Sequence, residues 1–444
     1  MKFNKCDSFN FNNKTYKVLD KLGEGGQGIV YLVNDGSNNY ALKVYIDEQL
    51  SDFVYNLKNN IVKGSPSRDF LWPKHFIEFN DGSCGYIMDV RPKNYCSFVS
   101  FLTGKTRFSS YRTLLDWCIR LVNSFKRLHE RGYSYQDLND GSFFLDPNTG
   151  DLLICDNDNV SANKTNLGIL GKMRYMAPEI VRGDIDKLTG TRQLPDSHSD
   201  RFSLAEILFL ALCMGNPFEG ECLKKYTIID EKAETEMFGT SPVYIFKEDD
   251  TSNRPIRGYH TTVLNKFPKL PSYIKEAFHR TFVDGLQDRE NSRTTEIEWI
   301  KLLCRYRDEL ISCECGREYI YGFSEKKPNL KCPYCKKETR KFTFLKVGKN
   351  RILLEPGKRI YKIHLDKYSD EYTTSVAVVI KSKKDPAKWG IKLSLDNDVE
   401  IKDSIGTVKV VAKDSVIPIV KDLKIRFNDT TVGQIYIGGQ EDEH

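Results

Sequence analysis

The sequence predicts a multidomain α+β protein, and three observations carry that prediction. At 444 residues the chain exceeds what one ordinary hydrophobic core organises. Strand-like runs flank a glycine cluster near the N-terminus, Tyr16 to Leu22 leading in and Ile29 to Val33 leading out, and a helical apolar period follows between Leu114 and Gly132. From about residue 350 the apolar period shortens to two, the mark of half-buried strands. The composition, 40% hydrophobic and 12% aromatic, is that of a globular chain.

Charge and cysteine usage narrow the class. A formal charge of +6 over 67 basic and 61 acidic residues is mild and does not by itself call for nucleic acid. No apolar stretch is long enough to span a bilayer, and Met1 to Cys6 leads into polar sequence rather than a signal-peptide core, so a cytoplasmic protein with no membrane partner is expected. Eight cysteines are scattered singly between Cys6 and Cys304, as small core residues of a reducing compartment would be; four others, Cys313, Cys315, Cys332 and Cys335, are clustered.

The glycine cluster reads Gly23-Glu24-Gly25-Gly26-Gln27-Gly28, with Val30 just beyond it. Glycines there let backbone amides approach phosphate oxygens, and the strand on either side distinguishes a phosphate-covering flap from a dinucleotide turn, which opens a helix. Ala41-Leu42-Lys43-Val44 then sets a lysine on an alternating strand. Tyr86-Ile87-Met88-Asp89-Val90 is a further strand, Tyr135-Gln136-Asp137-Leu138 follows the helical run, and Leu152-Leu153-Ile154-Cys155-Asp156 is an apolar strand ending in a carboxylate. Ala177-Pro178-Glu179 completes the series.

In that order and spacing, over about residues 14 to 308, the chain resembles the protein kinase fold, with Gly215-Asn216-Pro217-Phe218 completing the large-lobe pattern. The resemblance implies a bilobal structure binding ATP and Mg2+. It places Gly23, Glu24, Gly25, Gly26, Gln27, Gly28, Val30, Ala41, Lys43, Met88 as gatekeeper, Asp89 and Val90 around the nucleotide. Lys43 would pair with the α- and β-phosphates, Asp137 would accept the substrate hydroxyl proton, and Asp156, with Ser142, would hold Mg2+. Asp200 would cap the central helix and hold the catalytic loop, and Arg293 would pair with Glu179.

The departures from the family pattern are equally specific. Tyr135 and Gln136 stand where histidine and arginine usually precede the base, so a phosphorylated segment has no nearby cation to organise it. Asn139 stands where a lysine is usual, Ser142 where an asparagine binds magnesium, and Lys172 where a threonine is usual. The helix expected over Leu50 to Lys63 carries Asn59 and Asn60 where a glutamate partner for Lys43 should fall, leaving Glu48 as a poorly spaced substitute.

Cys313-Glu314-Cys315-Gly316 and Cys332-Pro333-Tyr334-Cys335 have the spacing of two knuckles closing a four-cysteine site, and four thiolates with no open position read as structural zinc. Nine lysines and arginines between Lys326 and Lys349 surround it, with Tyr319, Tyr321, Phe323 and Tyr334 interleaved. Solvated basic surface accounts for them more simply than a nucleic-acid partner. Beyond, alternation at Tyr361, Ile363 and Leu365 and at Leu423, Ile425 and Phe427, with turn residues between further runs, predicts a β-sandwich. Leu354-Glu355-Pro356-Gly357-Lys358 and Ile425-Arg426-Phe427 followed by Gly433 resemble forkhead-associated domains. His364 reads as an exposed strand residue.

The predicted domains are therefore 1–90, the small lobe; 91–308, the large lobe; 309–343, a zinc ribbon; and 344–444, the sandwich. With Phe70-Leu71-Trp72-Pro73 and Ile154 to Val160, the arrangement resembles bacterial kinases associated with a von Willebrand A-type protein and a metal-dependent phosphatase, and implies those partners besides a protein substrate. The expected function is a serine/threonine protein kinase. The alternative is a pseudokinase scaffold, which Gln136, Asn139 and Ser142 favour.

Overall fold

The computed structural model describes residues 2–165, 167, 171–186, 188–322, 329–339 and 342–438. These form two compact units, one of Met1–Phe108, Ser124–Leu264 and Ala277–Glu296, the other of Ser109–Asn123, Asn265–Glu276 and Ile297–His444. The second unit thus takes helical segments from within residues 91–308.

The first unit begins with an antiparallel sheet of β1 (Ser8–Phe11), β2 (Lys14–Glu24), β3 (Gly28–Asn34), β4 (Asn39–Tyr45), β5 (His75–Glu78) and β6 (Cys84–Asp89), in the order β1-β2-β3-β4-β6-β5. Side chains alternate across a strand, so β4 sends Leu42 and Val44 into one core with Val18, Val33 and Ile87. Ala41 and Tyr45 join a separate core with Tyr86 and Met88. Lys43 shares the parity of Ala41 and Tyr45, which puts a buried cation on the cleft side of the sheet. The helix α1 (Ser51–Lys63) packs Phe53 and Leu57 into that second core.

Two longer helices of the large lobe matter most for the site. Tyr111–Glu130 is amphipathic, with basic Arg127 and His129 in its last turn. Ser197–Cys213 is apolar nearly all round and buried nearly throughout, as a central helix should be. Its N-cap is Asp196 rather than the expected Asp200. Asp196 accepts from the backbone of His198 and Ser199, and the Ser199 hydroxyl accepts from the Asp196 amide, a reciprocal capping box. Asp200, one turn inside, is free to hold the catalytic loop: it accepts the Tyr135 amide at 2.7 Å and lies 3.0 Å from His129 Nε2. Arg293 meets Glu179 as expected, through paired contacts of 2.8 and 2.7 Å.

In the second unit, strands Leu310–Ser312 and Glu318–Ile320 pair as a hairpin beside the cysteines. A six-stranded sheet and a four-stranded sheet follow, and Leu345, Ile391, Ile425 and Ile435 from both share one core. The expected strand through Leu365 stops at Tyr361, and Lys362–Leu365 is a single helical turn. The reason is local: His364 Nδ1 accepts the Tyr361 amide at 3.1 Å, closing the turn. His364 is accordingly buried rather than exposed, with Nε2 2.8 Å from Asp308. Arg307 is buried beside it, donating to Asp116 at 2.8 Å and lying over the Tyr361 ring at 3.4 Å.

Buried charge makes the first unit pH-dependent. His129 bonds Asp200 and Glu296, and although burial opposes its charge the two carboxylates raise it to about 9. The folded state therefore binds a proton more tightly than the unfolded chain. That stabilisation is complete below the ordinary value of 6.5 and is lost as pH rises toward about 9. Denaturant midpoints should fall across that window in the natural protein and fall less in His129→Gln; parallel curves would refute the assignment.

Candidate active site

The phosphate flap is the turn between β2 and β3. Gly25 donates its amide to the Gly28 carbonyl at 2.9 Å. A Cβ on Gly28 would lie 2.7 Å from the Val44 carbonyl oxygen, so only glycine lets β3 come this close to β4 there. Gln27 accepts from Lys43 Nζ at 3.4 Å, linking the flap to the lysine. Val30 lies opposite Lys43 and Ala41 opposite Met88, and all but the lysine share one apolar cluster, joined by Leu153 and Cys155 from the strand leading to Asp156. Leu153 and Cys155 are cleft residues that the sequence does not reveal, because an apolar run gives no clue to which side faces the cleft. Met88 and Asp89 close β6 and Val90 follows it; the Asp89 carboxylate takes Lys74 at 2.5 Å.

Lys43 is buried, and its nearest anion is Asp158, at 2.7 Å, with Asp156 Oδ1 at 3.7 Å. The Asp158 carboxylate is itself fully enclosed: Oδ2 also accepts the Tyr45 hydroxyl at 2.8 Å and Oδ1 accepts that of Tyr86 at 3.2 Å. Burial works against the Lys43 charge, but Asp158 and then Asp156 outweigh it and hold the ammonium above its ordinary value. Glu48 lies exposed in the connection before α1 and takes no part in this pair. On α1 the polar residues do something else. Asn56 and Asn60 both donate side-chain amides to the Val160 carbonyl, at 2.8 and 2.7 Å, tying the helix to the start of the activation segment, the stretch of chain from Asp156 to Glu179.

Asp156 is the last residue before a short 3-10 turn and has left-handed backbone, φ 55°. Its side chain is 47% exposed toward the cleft, and burial of the surrounding region raises its carboxyl. Asp137 is also raised, first by burial, with Asn139 and Lys172 acting against that and Asp156 adding to it. A carboxyl of raised basicity suits a proton acceptor. Asn139 Nδ2 donates to Asp137 Oδ1 at 3.1 Å, and Lys172 Nζ donates to Asn139 Oδ1 at 3.0 Å. Ser142 is fully buried, and its carbonyl accepts the Cys155 amide at 2.9 Å.

The residues in place of histidine and arginine have new partners. The Tyr135 hydroxyl donates to the Cys155 carbonyl, joining the catalytic loop to the Asp156 segment. Gln136 Nε2 donates to the Ser161 hydroxyl and, at 2.8 Å, to the Thr165 carbonyl. A neutral amide thus holds the segment where a cation would hold a phosphate.

The chain matches the model of the protein kinase domain over residues 16–295. The chain belongs to the protein kinase family. It is similar to human serine/threonine-protein kinase Nek11, 22% identical over 392 residues, covering 80% of this chain and 53% of that one. It is also similar to the Drosophila melanogaster ovarian-specific serine/threonine-protein kinase Lok, 25% identical over 234 residues, covering 47% and 45% respectively. The chain thus spans about half the length of these relatives. Among solved structures, the Cydia pomonella granulovirus kinase PK-1 aligns with a TM-score of 0.46 at 18% identity, covering 65% of this chain and 93% of that one.

The four clustered cysteines meet as their spacing predicted. The sulfurs of Cys313, Cys315, Cys332 and Cys335 all lie within 4.8 Å of one another, a set that could hold zinc. Gly316 turns the first knuckle with φ +80°. Tyr319 and Tyr321 are buried against Phe342 rather than presented as a stacking face. Phe323, Lys326, Lys327, Arg340 and Lys341 lie outside the described residues. Among the described residues no helix is long and apolar enough to cross a membrane.

Asp158→Asn keeps one acceptor oxygen, turns the other into an amide donor and removes the charge, leaving a buried lysine with Asp156 alone. The expected loss of folding stability is about 3 kcal/mol, read from denaturant midpoints. A loss below about 0.5 kcal/mol would mean that Lys43 is anchored elsewhere.

Proposed function

We propose that this protein is an ATP- and Mg2+-dependent kinase that phosphorylates serine or threonine hydroxyls of a protein partner in the cytoplasm. Membership of the family supports it, and one observation carries it: Lys43 lies 3.7 Å from Asp156 and 3.4 Å from Gln27 of the glycine flap, and Asp156 is close enough to Asp137 to raise it. The flap amides and Lys43 hold the nucleotide phosphates, and Val30, Ala41 and Met88 enclose the base, which Asp89 and Val90 border. The substrate oxygen then forms its bond to the γ-phosphorus while the bond from that phosphorus to the β–γ bridging oxygen breaks. The hydroxyl proton passes to Asp137, and ADP leaves.

The half-exposed Asp156 carboxylate is a fitting hard-oxygen donor for Mg2+. Ser142, the expected second donor, contributes only if its buried hydroxyl is reached. Held by Asp156, Mg2+ would supply positive charge that offsets the charge on the phosphate oxygens. The burial of Ser142 favours a second reading, a pseudokinase that binds nucleotide without transferring phosphate. In both readings the cysteine cluster is a structural zinc ribbon and the two sheets a forkhead-associated-like sandwich for protein docking. The partners implied are the von Willebrand A-type protein and the metal-dependent phosphatase.

Radiolabelled ATP with a generic protein substrate separates the readings. Phosphotransfer is expected and should fall at least about 1,000-fold in Asp137→Asn, with nucleotide binding retained; an inactive natural protein that still binds nucleotide would establish the scaffold. Metal analysis should find close to one zinc per chain, lost in Cys332→Ser together with stability of the hairpin around it.

A further inference from the structure

Phosphoryl transfer spreads negative charge over the oxygens in flight, so the acceptor side of the cleft needs a cation as well as a base. The catalytic loop of this chain cannot supply one. From Asp137 to Phe143 it reads Asp-Leu-Asn-Asp-Gly-Ser-Phe, with two carboxylates and no cationic residue. Among the described residues, Lys43 is committed to Asp158 at 2.7 Å and Arg174 to Glu219 at 2.8 Å.

Lys172 comes to the same place from the activation segment. Its Nζ donates to Asn139 Oδ1 at 3.0 Å and lies 3.8 Å from Asp140, while its side chain remains 60% exposed. Asn139 bridges the two halves of the arrangement. It donates to Asp137 Oδ1 at 3.1 Å and to the Asp137 carbonyl at 3.1 Å, and its own Oδ1 accepts both Lys172 and the Gly141 amide. The amide therefore orients the base, and the lysine stands one hydrogen bond further out with donors to spare.

We propose that Lys172 is a catalytic residue: it supplies, from the activation segment, the cation that faces the transferring phosphoryl group, while Asn139 on the catalytic loop is the neutral residue that positions Asp137. The cation and its uncharged neighbour have exchanged segments. This rests on the phosphotransfer reading above. It also ties that activity to a docked segment, because the cation leaves the site whenever the segment does.

The reciprocal exchange tests it. Lys172→Asn should lower kcat about 100-fold while KM for ATP changes less than about threefold, since the nucleotide is held by Lys43 and the flap. Asn139→Lys/Lys172→Asn returns a cation to the same space from the other segment and should recover at least about tenfold of that loss. Thermal melting of each full-length variant separates folding from chemistry. An active natural protein with kcat unchanged in Lys172→Asn overturns this inference and leaves the kinase reading standing. So does a folded double variant that recovers nothing. An inactive natural protein overturns both.

Discussion

The cleft depends on one buried ion pair. Lys43 on β4 and Asp158 two residues beyond Asp156 are both out of solvent, a costly arrangement unless every lone pair and proton is answered. Here it is answered: one carboxylate oxygen takes the lysine and Tyr45, the other takes Tyr86. The junction joins two strands of the sheet to the segment that carries the candidate metal ligand. Lys43 and Asp156 are therefore held by the same few residues, and placing one places the other.

That junction frees α1 from carrying charge. The helix meets β4 through Phe53 and Leu57, and the activation segment through the amides of Asn56 and Asn60. A second anchor works from below, where Asp200 holds the Tyr135 amide and is held in turn by His129, itself bonded to Glu296. Between the two, the Tyr135 hydroxyl and the Gln136 amide bind backbone oxygens at Cys155 and Thr165. Among the described residues these links run from the central helix to the segment through carboxylate, hydroxyl, amide and imidazole groups of the chain itself.

Local signals made much of this legible in the sequence. The glycine flap, the strand parity of Lys43 and the cysteine knuckles follow from residue type and spacing, which short-range geometry enforces, whereas the Arg293–Glu179 pair, 114 residues apart, follows from the family pattern alone. What escapes a reading of the sequence are contacts whose partners are remote in the chain. Asp158 is 115 residues from Lys43 and has the look of a turn aspartate. His129 titrates with Glu296, 167 residues away. Asp200 fits the family pattern for the helix cap better than Asp196 does, although Asp196 with Ser199 has the capping-box chemistry. The alternation at Tyr361 to Leu365 misleads for a related reason: three apolar residues at period two are too few to outweigh one histidine that closes a helical turn.

The same distinction bears on how the departures from the family pattern should be weighed. Taken position by position, the absent helix glutamate and the absent catalytic-loop lysine are two lost charges, and a scaffold is the natural conclusion. In space, neither charge is missing. An acid meets Lys43 from the Asp156 segment, and a cation reaches Asn139 beside Asp137 from the activation segment. What the transferring phosphate senses is the field at the cleft, and that field is indifferent to which segment carries each group. Relocation changes instead what the groups are coupled to. The Lys43 partner sits on the Asp156 segment rather than on α1, and the cation near the base sits on the activation segment, so both relocated groups belong to one stretch of chain.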